Sequence, residues 1–127
     1  PADAPRIAAT IAKIEADLLQ GGVYRYREDT YYGGGEWLLL TAWLGWHYAE
    51  TGNPSRAAAL RDWVAAQAAA DGAMPEQVSH NLLAPEYYAG WLERWGPIAS
   101  PLLWSHAMYL VLNTALASTN TQERISI

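Results

Sequence analysis

Apolar residues recur at helical spacing along much of the chain. Residues 5–20 carry apolar side chains at intervals of three or four positions, namely Ile7, Ile11, Ile14 and Leu18. This spacing places them on one face of an amphipathic helix. Two consecutive glycines follow and predict the end of that helix near residue 21.

A second helix is predicted over residues 36–51, with apolar residues on more than one face: Trp37, Leu38, Leu40, Trp43, Leu44 and Trp46. A helix of this kind is expected to be buried nearly all round. Gly52 interrupts the pattern, and a third, alanine-rich helix is expected from Pro54 to Ala70, because proline is tolerated in the first turn of a helix.

Residues 73–100 contain three prolines and predict a long irregular segment, which in a compact domain is usually functional or mobile. A fourth, mostly apolar helix is expected over residues 101–117, with a polar tail from Ser118. The predicted class is therefore all-α, with about four helices in two helical hairpins. Helices two and four would form an inner layer, and the two long loops would share one cleft.

Composition narrows the functional classes. The 127 residues suit one domain, and 51% hydrophobic residues indicate a globular chain. A net charge of −5 with a single lysine argues against nucleic-acid binding. No apolar run reaches the roughly 18 to 20 residues of a membrane helix. The absence of cysteine excludes disulfides and thiolate sites. Seven Trp and eight Tyr without any Phe indicate either a sugar-binding cleft or amphipathic packing in an alanine-rich bundle.

The first loop, VYRYREDTYYGGGEW, combines aromatic rings with charged groups and three glycines. Such a wall suits a polyhydroxylated ligand, and Arg25 offers several fixed donors to hydroxyl groups. Alternatively, Glu28 and Asp29 pair structurally with Arg25 and Arg27. The glycines are a poor phosphate cradle, because no lysine and no preceding strand accompany them.

The second loop, DGAMPEQV, contains the candidate catalytic carboxylate, Glu76. Its backbone is restrained by Pro75, and a fixed carboxylate at a cleft can accept a proton from water. The alternative is a solvated surface glutamate. The segment PLLWSHAMYL adds Trp104 and His106, and His106 is expected to be a packing residue. The histidines lack ligand spacing, so no metal or other cofactor is predicted. The absence of a GxSxG motif argues against a serine hydrolase.

Together, GGVYRYREDTYYGGGEWLLLTAW, DGAMPEQV and PLLWSHAMYL resemble the C-terminal part of the catalytic domain of glycoside hydrolase family 15, which includes glucoamylases and glucodextranases. The resemblance covers residues 21–112 with the three motifs in order. It implies an (α/α)6 barrel, of which residues 1–127 would be the C-terminal portion. It also implies an exo-acting enzyme that releases glucose from non-reducing ends with inversion.

The resemblance assigns roles to individual residues. Glu76 would be the general base, Gln77 would orient it, and Trp104 would flank the pocket for the terminal glucose. Further substrate contacts would come from the first loop: Arg25 and Tyr26 beside the scissile bond, Asp29 and Tyr31 in support, and Trp37 near the leaving-group sugar.

The general acid of the family would lie upstream, outside this chain, so this chain alone is expected to be inactive. Glu28 and Asp29 are not expected to replace it, because proximity to Arg25 depresses a carboxyl pKa. The expected partner is a starch-like, dextran-like or trehalose-like α-glucoside. The exposed apolar faces would be covered by the rest of the barrel or by self-association. The alternative function is a non-catalytic carbohydrate-binding or helical interaction module.

Overall fold

A computed structural model describes residues 4–125 of the protein. Its main elements are the helices α1 (Pro5–Leu18), α2 (Leu38–Glu50), α3 (Pro54–Ala66), α4 (Tyr88–Trp95) and α5 (Leu103–Ile125). Single turns of 3₁₀ helix occupy Tyr31–Gly33 and Pro85–Tyr87. The all-α class predicted from hydrophobic spacing is confirmed. Within the described residues, no helix combines the length and apolar character needed to cross a bilayer.

The ends of the helices follow local sequence signals. Helices α1 and α3 both begin with proline, which has no backbone N–H to satisfy there. The side chain of Asn53 also accepts a hydrogen bond from the backbone N–H of Arg56 at 3.2 Å and caps α3. Helix α2 stops before Gly52, whose φ of 78° no helix can continue.

The core lies where α2 packs against α3 and α5. Leu38 of α2, Val64 of α3 and Leu112 of α5 are fully buried there. Gly45 lets α5 approach α2, because a Cβ atom at this position would lie 2.8 Å from Leu112 Cδ2. Helix α1 has no buried residue and packs through one apolar stripe, as its amphipathic pattern predicts.

Helix α2 is not buried all round, contrary to the expectation from its composition. Trp43 and Trp46 are 43% and 40% exposed. On α5, Leu103 and Leu110 are also largely exposed. These four side chains are large and apolar, so the described part of the chain presents the uncovered apolar surface that was expected of an incomplete barrel.

A small antiparallel sheet was not predicted. It consists of β1 (Val23–Tyr24), β2 (Glu36–Trp37) and β3 (Gln77–Val78), with β2 in the centre. Strands β1 and β2 belong to the first loop and β3 to the second, so the pairing of β2 with β3 joins the two loops. The two loops therefore lie side by side, as expected, and backbone hydrogen bonds join them.

The segment predicted as irregular, residues 73–100, also contains β3, a 3₁₀ turn and α4. Helix α4 was not predicted, because it has only eight residues and lies between Pro85 and Pro97. Helix α5 continues to Ile125, beyond the end expected at Ala117. Polar residues after Ser118 therefore belong to the helix and not to a tail.

Candidate active site

The central strand of the sheet positions the candidate residues. Trp37 of β2 pairs with Val23 of β1 on one side and with Gln77 of β3 on the other. Arg25 directly follows β1, and Glu76 directly precedes β3. The indole thus comes from the central strand, and the guanidinium and the carboxylate come from residues directly adjoining the two outer strands.

Arg25 is fixed by a two-point ion pair with Asp29. Its Nε donates to Oδ2 at 2.9 Å, and a terminal nitrogen donates to Oδ1 at 2.8 Å. Asp29 is 1% exposed and also accepts the backbone N–H of Tyr31 at 3.0 Å. This confirms the structural pairing considered for Arg25 and Asp29. The buried Asp29 therefore holds the guanidinium of Arg25 in place, while its role in a substrate site stays a prediction.

Three rings surround the guanidinium of Arg25. Its Cζ lies 4.8 Å from the ring centre of Trp37, 4.9 Å from that of Tyr31 and 5.3 Å from that of Tyr26. The hydrogen bond to Asp29 is the main reason that the pKa of Arg25 lies above its ordinary value, and the charge of Glu76 adds to it. Arg25 is thus a permanently charged donor held among rings.

The main chain around Glu76 is clamped to the beginning of α5. The N–H of Glu76 donates to the carbonyl of Ala99 at 2.9 Å. The hydroxyl of Ser105 donates to the carbonyl of Pro75 at 2.8 Å, and the N–H of Met74 donates to His106 Nε2 at 3.1 Å. His106 thus serves as a structural acceptor, in line with its expected packing role.

The carboxylate of Glu76 differs from the buried carboxylate of Glu36. Glu36 Oε1 accepts the N–H groups of both Gly21 and Gly22 at 2.8 Å, and its Oε2 accepts from Asn81 at 3.3 Å. In contrast, Glu76 Oε2 is buried and has no hydrogen-bond partner within residues 4–125. An orphaned carboxylate oxygen is unfavourable unless another group occupies the space beside it. Glu76 therefore has an acceptor available for a water or a ligand.

Tyr31 lies beside this carboxylate. Burial raises the pKa of Tyr31 to about 12, and the charge and hydrogen bonding of Glu76 contribute to the increase. Tyr31 thus stays protonated at neutral pH and can donate a hydrogen bond. Glu76 is therefore close enough to both Tyr31 and Arg25 to influence their ionisation. It thus lies beside the aromatic and charged first loop, residues 23–37, which we call the tyrosine-rich wall.

The three glycines shape this wall. Gly33 and Gly34 have φ angles of 76° and 70°, and Tyr32, the middle residue of the 3₁₀ turn, has a φ of 48°. A positive φ is strained for a tyrosine. The Tyr32 hydroxyl donates to the carbonyl of Gly96 at 2.9 Å and holds this conformation. A Cβ atom on Gly35 would collide with the carbonyl oxygen of Val78.

Gln77 is engaged by the same turn. Its Oε1 accepts the N–H of Gly35 at 2.8 Å, and its Nε2 donates to the carbonyl of Tyr31 at 3.4 Å. The side chain is 1% exposed. These contacts make Gln77 a positioning residue for the glycine turn, while its predicted roles in orienting Glu76 and in binding substrate stay predictions.

Trp104 lies at the beginning of α5 and packs against α2. Its indole is 56% exposed and contacts Trp43 of α2 in a perpendicular arrangement, with ring centres 6.2 Å apart. The nearby Ser105 and His106 are hydrogen-bonded to the second loop, at Pro75 and Met74 respectively. Its role at the terminal glucose stays a prediction.

Two aromatic residues in or beside the wall, Tyr24 and Trp91, were not singled out from the sequence. Trp91 of α4 contacts Tyr31 edge-on at 4.8 Å and Tyr32 at 5.6 Å. Tyr24 is 5% exposed, and burial together with the charge of Glu36 raises its pKa to about 12. The sequence signal for Tyr24 is its place in the aromatic first loop, and the signal for Trp91 is the group of aromatic residues at positions 87–95. Within residues 4–125, no group of three or more His, Asp or Glu side chains is arranged to hold a metal ion.

Known proteins similar to this chain are glycosidases. The chain is 50% identical over 113 residues to an isomaltose glucohydrolase from Kribbella flavida, which covers 88% of this chain and 29% of that protein. It is 32% identical over 104 residues to an uncharacterized glycosyl hydrolase from Methanocaldococcus jannaschii, covering 72% of this chain and 15% of that protein. No family model matches the chain.

Solved structures are equally similar. A wild-type glycosidase matches with a TM-score of 0.89 and 49% identity, over 92% of this chain and 32% of that chain. A glycosidase variant in complex with glucose matches with the same TM-score and 48% identity. The chain thus spans about a third of the length of these proteins. The resemblance to glycoside hydrolases is confirmed, and its extent is consistent with the C-terminal part of a family 15 catalytic domain.

Proposed function

The chain is homologous to a segment of glycoside hydrolases, and we propose that it forms part of an inverting, exo-acting α-glucosidase. In this proposal the complete enzyme releases glucose from the non-reducing end of an α-glucoside. The described residues supply the general base and one wall of the glucose pocket.

The unpartnered Oε2 atom of Glu76 carries the proposal. Inverting hydrolysis requires a carboxylate that removes a proton from water as the water attacks the anomeric carbon. The oxygens of Asp29 are occupied by Arg25, and those of Glu36 by backbone and amide donors. Glu76 is the carboxylate of this group with an oxygen left for water.

The wall around Glu76 suits a glucose unit. Arg25 offers hydrogen bonds to sugar hydroxyls from a fixed position, since Asp29 holds its guanidinium at two points. Tyr26 is 49% exposed and lies beside that guanidinium. The rings of Tyr31 and Trp37 lie next to each other, with centres 6.2 Å apart, and in this proposal they line the pocket on the C–H side of a sugar ring. Trp104 would contact the terminal glucose from the side of α5.

The reaction also needs a general acid. Two carboxyl groups about 6.5 to 9.5 Å apart are required, one to activate water and one to protonate the leaving oxygen. We assign the second group to a part of the protein outside residues 1–127. The exposed apolar side chains of α2 and α5 would pack against that part, or against another copy of the chain.

In the reaction, Glu76 accepts a proton from water while the water oxygen bonds to the anomeric carbon. The bond between that carbon and the leaving oxygen breaks on the opposite face, and the leaving oxygen takes a proton from the general acid. The product is β-glucose. A relative is named for isomaltose, so we propose an α-1,6-linked disaccharide of that type as the first substrate to examine.

The test is an assay of the complete protein with isomaltose, maltose and trehalose. We expect glucose release from isomaltose, and we expect nuclear magnetic resonance to detect β-glucose before mutarotation. Release of α-glucose would contradict the inverting mechanism. Saccharide binding without any hydrolysis would favour the non-catalytic binding module instead.

A further inference from the structure

The buried carboxylate of Glu36 has no role in the proposed reaction. Glu36 belongs to the central strand β2, and its side chain is fully buried. Consecutive residues of a strand point to opposite faces. Glu36 therefore lies on the face opposite its neighbour Trp37, whose ring contacts Arg25. Any effect of Glu36 on the reaction must act through other residues.

The two oxygens of this carboxylate bind different segments of the chain. Oε1 accepts the backbone N–H groups of Gly21 and Gly22, both at 2.8 Å. These glycines directly precede β1, and Arg25 directly follows it. Oε2 accepts the side-chain amide of Asn81 at 3.3 Å, and His80 Nε2 lies 3.5 Å from the same oxygen. One carboxylate thus connects the first loop to the segment that follows β3.

Tyr24 makes a second connection at the same place. It pairs directly with Glu36 across β1 and β2, so the two side chains share one face of the sheet. The Tyr24 hydroxyl donates to the backbone carbonyl of Asn81 at 2.7 Å. Asn81 is therefore held by one residue of β1 and by one residue of β2.

The contacts of Glu36 indicate a connecting function. Burial of a carboxylate is unfavourable unless hydrogen bonds replace those that it made with water. The residue opposite Glu36 in β3 is the apolar Val78. An apolar side chain at residue 36 would also fill space on this face, but it would accept no hydrogen bond from Gly21, Gly22 or Asn81.

We propose that Glu36 is a positioning residue for the candidate active site, because its carboxylate fixes the second loop relative to the first and thereby Glu76 relative to Arg25. This inference rests on the proposed function. Strand β3 has two residues, with Glu76 directly before it and Asn81 three residues after it. Two residue pairs give backbone pairing little hold on the position of β3. The hydrogen bonds of Asn81 hold the chain at the far end of this strand.

The experiment exchanges the donor and the acceptor in the complete protein. Asn81→Asp places a second carboxylate beside Oε2 of Glu36 and replaces a hydrogen bond with repulsion. The double variant Asn81→Asp, Glu36→Gln restores an amide–carboxylate pair in the reverse direction and keeps an acceptor for the two glycines. Asn53→Asp is the matched control, because the same chemical change at the beginning of α3 retains its cap.

Steady-state kinetics on isomaltose are measured at a temperature at which circular dichroism shows every variant to be folded, so that a loss of stability alone does not alter kcat. We expect Asn81→Asp to lower kcat by about 5-fold to 50-fold through displacement of Glu76, with KM changed by less than about 2-fold. The double variant should recover most of this loss, and Asn53→Asp should show none.

An unchanged kcat in Asn81→Asp, or a loss that the double variant does not reverse, would overturn the positioning role. If the unmodified protein hydrolyses no α-glucoside, the proposed function fails, and hydrogen–deuterium exchange of residues 74–83 then tests the connection without turnover. Faster exchange in Asn81→Asp that the double variant reverses would support it. Equal exchange, or faster exchange that the double variant retains, would overturn it.

Discussion

Arg25 donates two hydrogen bonds to the buried carboxylate of Asp29, at 2.9 and 2.8 Å. Its guanidinium also lies among the rings of Tyr26, Tyr31 and Trp37. Asp29 Oδ1 also holds the N–H of Tyr31. One carboxylate thus orients both a charged donor and a ring of the wall. A fixed donor is more effective than a mobile one, because little conformational freedom is lost when substrate binds.

Asp29→Ala should therefore weaken both folding and substrate binding. It removes the acceptors of Arg25 and Tyr31, so we expect the free energy of unfolding to fall by about 1.5 to 3 kcal/mol. We also expect KM to rise more than kcat falls. Urea denaturation and steady-state kinetics measure the two effects. Glu28→Ala, at an exposed neighbouring position, is the control. An Asp29→Ala protein with unchanged KM would show that Arg25 needs no such support.

Two tyrosines should make stability sensitive to alkaline pH. The pKa values of Tyr24 and Tyr31 are raised from 10.0 to about 12, mainly by burial. The folded state therefore favours the protonated phenols. This contribution is complete below about pH 10 and is lost as pH rises towards 12. Urea denaturation across this range should show a decline that is smaller in the double variant Tyr24→Phe, Tyr31→Phe. An identical decline in both proteins would contradict these shifts.

The glycine turn should tolerate no side chain at residue 35. In Gly35→Ala, the new methyl group would meet the carbonyl oxygen of Val78 and would lie 2.8 Å from Gln77 Oε1. Separation of β2 from β3 should lower the free energy of unfolding by about 1 to 3 kcal/mol. Gly90→Ala should instead raise it by up to about 1 kcal/mol, because it improves helix propensity without a clash. Similar denaturation midpoints for the two variants would disagree with the sheet geometry.

The buried Glu36 should be required for stability, because it is a hydrogen-bond acceptor for the backbone. Glu36→Ala leaves the N–H groups of Gly21 and Gly22 without their acceptor, so we expect a loss of about 2 to 4 kcal/mol in stability. Glu36→Gln keeps an acceptor oxygen and should recover most of that loss. Thermal unfolding measures both. If Glu36→Gln were as unstable as Glu36→Ala, the negative charge itself would be the required feature.

The sequence predicts the larger helices well, because their apolar spacing is a local property. Helix α1 ends within two residues of its predicted end, and α3 begins at the predicted proline. The exposure of Trp43 and Trp46 could not be predicted, since it depends on which neighbours cover α2. Spacing reports how apolar a helix is, and not what packs against it.

The sequence singled out the residues whose rings cluster around Arg25, but it did not show how the chain brings them together. The proximity of Arg25 to Glu76 follows from two-residue strands, which are too short to leave an alternating pattern. The engagement of Gln77 with Gly35 depends on that same register. Tyr32 adopts a positive φ that its residue type disfavours, so tertiary contacts decide its conformation.

The central claim is that Glu76 activates the attacking water. It is tested most directly by the turnover of isomaltose in the complete protein carrying Glu76→Gln, which retains the size of the side chain but cannot act as a base. Glu93→Gln, at an exposed position of α4, is the matched control. We predict that Glu76→Gln lowers kcat by about 100-fold to 10,000-fold, with sugar binding retained and Glu93→Gln fully active. Turnover by Glu76→Gln at the rate of the unmodified protein would contradict the claim.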